Sequence, residues 1–85
     1  MKENDKRISK GNGYGYYNHK ASFPRSLKFQ RLYNGYTQKD LASILKINTR
    51  TISNWEHGIG SPRASQLFEL AKLFNVSMDK LWKSS

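Results

Sequence analysis

The sequence predicts an all-α domain of five short helices behind a flexible basic arm. Three observations predict it. From Phe23 onward, helix caps and helix stops recur at short intervals, apolar residues between them fall at helical spacing, and no segment alternates like a strand. Residues 1–22 are of another kind. They include GNGYGYYNHK, with Ile8 and Ala21 as the lone aliphatic side chains apart from Met1 and no period, so the arm is assigned to 1–22 and the domain to 23–85.

Each element follows from its punctuation. Pro24 suits a first helical position and Gly35 the residue just past a helix end, which places a helix over 24–34. Thr37 with Asp40 three residues later has the form of a capping box and opens a second over 38–45. Asn48 caps a third, over 49–57, and Gly58 ends it. Ser61-Pro62 starts a fourth, over 62–74, and Asn75 is its left-handed stop. Ser77 caps a last turn, 78–83.

The apolar positions fit one core. Leu41, Ala42 and Leu45 share a face of the second helix, Ile52 and Trp55 of the third, and Leu67, Leu70, Ala71 and Phe74 of the fourth. Ile47, Val76 and Leu81 complete it. The first helix is less clean: Phe23 and Leu27 lie on one face, while Phe29, Leu32, Tyr33 and Tyr36 lie along another that a dimer could cover. In a chain of 85 residues nearly every periodic apolar position must be core, because so small a domain buries only about 60% of its unfolded surface.

Composition narrows the function. There are no cysteines, so no disulfide framework and no Cys-based zinc site can form, and a reducing, cytoplasmic setting is expected. No apolar run is long enough for a membrane span or a signal peptide. The net charge of +9, with a pI near 10.1, points to a polyanionic partner. The charge is uneven: +3 over residues 1–22, +5 over 24–63 and +1 over 64–85. Catalysis is not expected, since His19 and His57 are the only histidines and the six carboxylates form no catalytic or metal-ligand spacing. No cofactor is called for.

The third helix carries the functional signal. On a wheel of about 100° per residue, Thr49, Arg50, Ser53, Asn54 and His57 fall on one side and Ile52 and Trp55 on the other. Ordinary exposed helix surface favours Lys, Glu and Ala, which stabilise helix and stay solvated. Here the outward row is made of short or forked hydrogen-bonding groups. Arg pairs bidentately with guanine and Asn with adenine, while Ser and Thr meet bases or phosphates. That is the chemistry of major-groove readout.

Between Gln38 and Trp55 the small, apolar and polar positions all agree: Ala42 permits close helix approach, and Leu41, Leu45, Ile47, Ile52 and Trp55 fill the angle. The run TQKDLASILKINTRTISNWEHG, followed by SPRASQLFELAKLFNVSMDKLW, resembles the lambda repressor/Cro (XRE-type) family of helix-turn-helix DNA-binding domains over about residues 23–82. The resemblance implies a five-helix lambda-repressor-like fold and a role for each matching position. Thr49, Arg50, Ser53 and Asn54 read base edges. Gln38 meets phosphate from the helix start while its side chain braces the reading helix, and Asn48 and Arg63 meet phosphate too. Arg31 and Glu56 form a structural ion pair, and Trp55 is core. Two positions depart from the family pattern: Lys46 stands where Gly is usual, and His57 where Asn is common. Both are candidate phosphate contacts. The Tyr-rich arm is not a family feature; it is either a tail without a role of its own, or Tyr14, Tyr16 and Tyr17 reach the DNA or pack on the domain or a second subunit.

The resemblance implies a sequence-specific regulator of transcription, prokaryotic or phage-encoded and working at the nucleoid. It is expected to repress, as a homodimer placing its third helices in successive major grooves of a near-palindromic operator. The chain reaches only three residues past Trp82, which leaves open a complete Cro-like regulator or the head of a longer repressor. An alternative keeps the fold but makes contact with a protein partner the main business, as in antitoxins and coactivators. A membrane-surface role for Arg25, Lys28 and Arg31 with Phe29, Leu32 and Tyr33 is disfavoured by Gly35 and the capped helices after it.

Overall fold

The computed structural model describes residues 22–83. They form five helices: α1 (Ser22–Tyr33), α2 (Gln38–Leu45), α3 (Thr49–Glu56), α4 (Ala64–Phe74) and α5 (Met78–Lys83). No strand occurs among the described residues. The arm expected over 1–22 lies outside them, except for Ser22, which opens α1 instead of closing the arm.

The stops are built from backbone geometry. After α1, Gly35 takes φ +78°, and the Tyr36 and Gly35 N–H groups donate back to the Arg31 and Leu32 carbonyls at 2.9 and 3.1 Å. This satisfies carbonyls that have lost their helical partner. The same closure recurs after α4, where Asn75 sits at φ +58° and the Val76 N–H reaches the Ala71 carbonyl. It recurs after α2 as well, with Lys46 at φ +59° and the Ile47 N–H on the Ala42 carbonyl. Lys46 therefore holds the left-handed position that glycine adopts without strain.

The starts are made by side chains. Thr37 Oγ1 accepts the Asp40 N–H at 2.9 Å and Asp40 Oδ2 accepts the Thr37 N–H at 2.8 Å, a closed capping box with Asp in place of Glu. Asn48 Oδ1 accepts the Arg50 N–H, and Ser77 Oγ the Lys80 N–H.

Three boundaries differ from expectation. α1 spans 22–33, not 24–34, so Pro24 sits within the first turn, where a missing N–H breaks no helical bond. α3 ends at Glu56, and His57 is its cap. α4 begins at Ala64, not Pro62, because Gln66 Oε1 accepts the Arg63 N–H at 2.8 Å and makes Arg63 the cap. Arginine has no acceptor with which to return the bond, so sequence rules pass it over.

One core joins the helices. Phe23 and Leu27 of α1, Leu41 and Ala42 of α2, Ile52 and Trp55 of α3, Leu70, Ala71 and Phe74 of α4 and Leu81 of α5 are buried together. Trp82 stacks on Phe23 with ring centres 5.2 Å apart, and Tyr36 tilts against Phe74. Tyr36 thus leaves the second apolar face of α1. Phe29, Leu32 and Tyr33 remain outside, 60%, 58% and 77% exposed.

Candidate nucleic-acid interface

α3 is short and its sequence, TRTISNWE, is a poor helix former, so its position rests on what lies behind it. Ile52 is fully enclosed and Trp55 nearly so. Glu56 supplies the third anchor. Arg31 donates to it from Nε to Oε2 at 2.6 Å and from Nη2 to Oε1 at 3.1 Å, while Arg31 Nη1 donates to the Tyr36 carbonyl. The Glu56 side chain is 3% exposed and the Arg31 side chain 10%. Paired, forked bonds at that depth fix both partners, and a lone charge there would be costly. Gln38 Nε2 then donates to Glu56 Oε1 at 3.0 Å, tying the first residue of α2 to the last residue of α3.

With its back held, α3 turns the other side outward. Thr49 and Arg50 are exposed, and Ser53 and Asn54 are half-buried. Among the described residues, no hydrogen bond or ion pair joins these four side chains to the rest of the chain. Asn48 combines a capping side chain with an exposed position one residue before the helix.

His57 continues the row past the helix end. Its Nδ1–H donates to the Ser53 carbonyl at 2.7 Å, the only polarity a carbonyl allows. That leaves Nε2, which is an acceptor in the neutral ring, so His57 can donate to a phosphate oxygen only as an imidazolium.

The candidate residues are not all gathered in one place. Gln38 and Thr49 line one depression with Leu32, Thr37 and Lys39. His57 lines a second with Pro24, Arg25, Lys28, Glu56 and Gly58. Lys46 lines neither; it borders a third, with Ser65, Gln66 and Glu69 of α4. Arg63 is exposed at the start of α4 and belongs to none of the three. Lys39, Arg25 and Lys28 were not singled out from sequence as site residues, although Arg25 and Lys28 repeat at i, i+3, which puts both on one helix face.

Asp40, the carboxylate of the α2 cap, follows Lys39 of the first depression. The Thr37 backbone N–H, then the Thr37 hydroxyl, and less so the nearby Lys39, hold Asp40 below the usual carboxylate range. The α2 cap is therefore ionised wherever ordinary aspartates are. No helix among the described residues is long and apolar enough to cross a membrane.

Comparison with known proteins adds the family. A helix-turn-helix family model matches residues 27–81. Over 51 residues the chain is 35% identical to the HTH-type transcriptional regulator DicA of Escherichia coli (strain K12), covering 60% of this chain and 38% of that protein. Over 56 residues it is 39% identical to the HTH-type transcriptional activator BcrR of Enterococcus faecalis, covering 64% and 28%. The chain thus spans under two-fifths of the length of either relative. Among solved structures, apo HppE superposes with a TM-score of 0.69 at 27% identity over 76% of this chain and 36% of that one. Iron(II) HppE in complex with substrate gives 0.68 at 27% identity, over 76% and 34%. The match from within α1 to Leu81 takes in all five helices and the polar outer face of α3: the chain belongs to the helix-turn-helix family.

Proposed function

We propose that this domain binds double-stranded DNA sequence-specifically and regulates transcription. The observation that carries the reading is α3 itself, a helix of base-reading side-chain types anchored from behind by Ile52, Trp55 and Glu56, whose outer side chains make no hydrogen bond or ion pair among the described residues. Thr49, Arg50 and Asn54 read base edges in the major groove, with Ser53 as a lesser reader. Gln38, Asn48 and Arg63 meet phosphates and set the register, and Lys46 and His57 are secondary contacts. The names of DicA and BcrR support a regulator. Repression follows from occupying a promoter, as a homodimer with α3 helices about 34 Å apart on a near-palindromic operator in the cytoplasm.

Selection of bound sequences from a random duplex pool tests this. A two-fold symmetric consensus is the expected result. No enrichment would overturn the reading and favour a second one, in which the fold serves a protein partner. The observation favouring that alternative is the outer face of α1, where Phe29 and Tyr33 stack in solvent with ring centres 5.8 Å apart.

A further inference from the structure

α3 has a depression at each end. At its first turn Thr49 shares one with Leu32, Gln38 and Lys39. At its far end His57 shares the other with Arg25 and Lys28 of α1. Lys28 therefore lies by the end of α3, and Leu32, one turn further along α1, by its start.

The second depression is positive. Arg25 and Lys28 are exposed, and α1 contains no acidic residue. The one carboxylate lining it, Glu56, is 3% exposed and accepts from Arg31 and Gln38 through its two oxygens. Its charge is answered before it can offset the two cations. Nor do Arg25 and Lys28 serve the core, since α1 turns Phe23, Ser26, Leu27, Gln30 and Arg31 inward.

Dimensions link this patch to the reading helix. The major groove of B-form DNA is about 12 Å wide. A helix with its side chains is about 10–12 Å across, so lodged in the groove it fills the width and brings residues flanking it near the phosphates of the groove wall. We propose that Arg25 and Lys28 form a phosphate clamp beside the His57 end of α3, on the groove wall which that end adjoins. This rests on the DNA-binding reading above and adds α1 to the interface. Phosphate contacts position the protein without reading sequence, so the clamp strengthens binding to every duplex alike.

The test is the salt dependence of affinity for a selected site and for a random duplex of equal length. The full chain is compared with the double variant Arg25→Gln/Lys28→Gln, and with Lys80→Gln/Lys83→Gln on α5 as a control of equal charge. Each lost phosphate contact removes about 0.9 from the log–log slope, so the clamp variant should be shallower by about 1–2. Its affinity should fall by a similar factor on both duplexes, about tenfold or more at low salt, with the thermal melt unchanged. The α5 control should keep most of the slope. An unchanged slope in the clamp variant, or equal flattening by the control, would overturn the clamp while leaving DNA binding in place. Loss confined to the selected site would overturn it too, by making these residues readers. If the unaltered chain binds neither duplex, the DNA-binding reading itself fails.

Discussion

α3 and α4 share the core and a connecting loop, yet their outward faces are of different kinds. α4 shows Ser65, Phe68, Glu69 and Lys72, and Lys72 Nζ lies 5.9 Å from the centre of the Phe68 ring one turn away. Its sequence, ASQLFELAKLF, is rich in strong helix formers, and three of its side chains are buried. α3 has weaker formers, two buried apolar side chains, and an outer row whose side chains make no hydrogen bond or ion pair among the described residues. The difference lies in where the stability comes from. α4 is supported by propensity and burial together; α3 depends on tertiary anchors, above all Glu56.

That dependence sets the largest expected effect. Glu56→Ala strands Arg31 at a largely buried position and should destabilise the domain by about 3–5 kcal/mol, read by urea denaturation. Lys72→Ala on α4, an exposed change, should stay within about 0.5 kcal/mol. Similar small losses for both would break the comparison.

Arg50→Ala should do the reverse of Glu56→Ala. Stability stays level, while affinity for the selected site falls by about 1–3 kcal/mol and preference relaxes at one base pair. An equal loss on random DNA would remove Arg50 from the readers.

Lys46→Gly sharpens the comparison at the turn between α2 and α3. It relieves the left-handed backbone and should raise stability by up to about 1 kcal/mol. Asn75→Gly after α4 should gain less, since Asn tolerates that conformation. Undiminished DNA affinity in Lys46→Gly would strike Lys46 from the phosphate contacts, in keeping with its place beside Glu69.

The smallest effect belongs to Asp40. Its carboxyl is held lower in the folded state than in the unfolded chain, so its contribution is fully present above the ordinary aspartate range. It is lost as pH falls through the depressed value. Melting temperatures measured down through the acid range should converge between the parent and Asp40→Asn; a constant gap would contradict the shift.

Residues whose signal is local were legible in the sequence. Gly35, Asn75, Thr37 with Asp40, and Ser77 each act on backbone groups within a few positions, so their types state their roles. The outward row of α3 was legible because a helix wheel needs only its period. Tertiary choices were not. Arg63 caps α4 through the side chain of Gln66, Trp82 finds Phe23 across the fold, and Tyr36 joins Phe74 while its neighbour Tyr33 stays in solvent. In the sequence Arg25 and Lys28 stand out only as part of a disfavoured membrane-surface face; their place beside the end of α3 shows in the fold alone.

The separation of anchors from outer row has a practical outcome. Among the described residues Thr49, Arg50, Ser53 and Asn54 lend no side-chain bond to the fold, so the exposed Thr49 and Arg50 can be exchanged at a cost within about 0.5 kcal/mol and the half-buried Ser53 and Asn54 for residues of similar size. If the proposed reading holds, a new operator preference can be grafted by rewriting four positions on an unchanged scaffold, with α3 as an interchangeable reading head for one small domain.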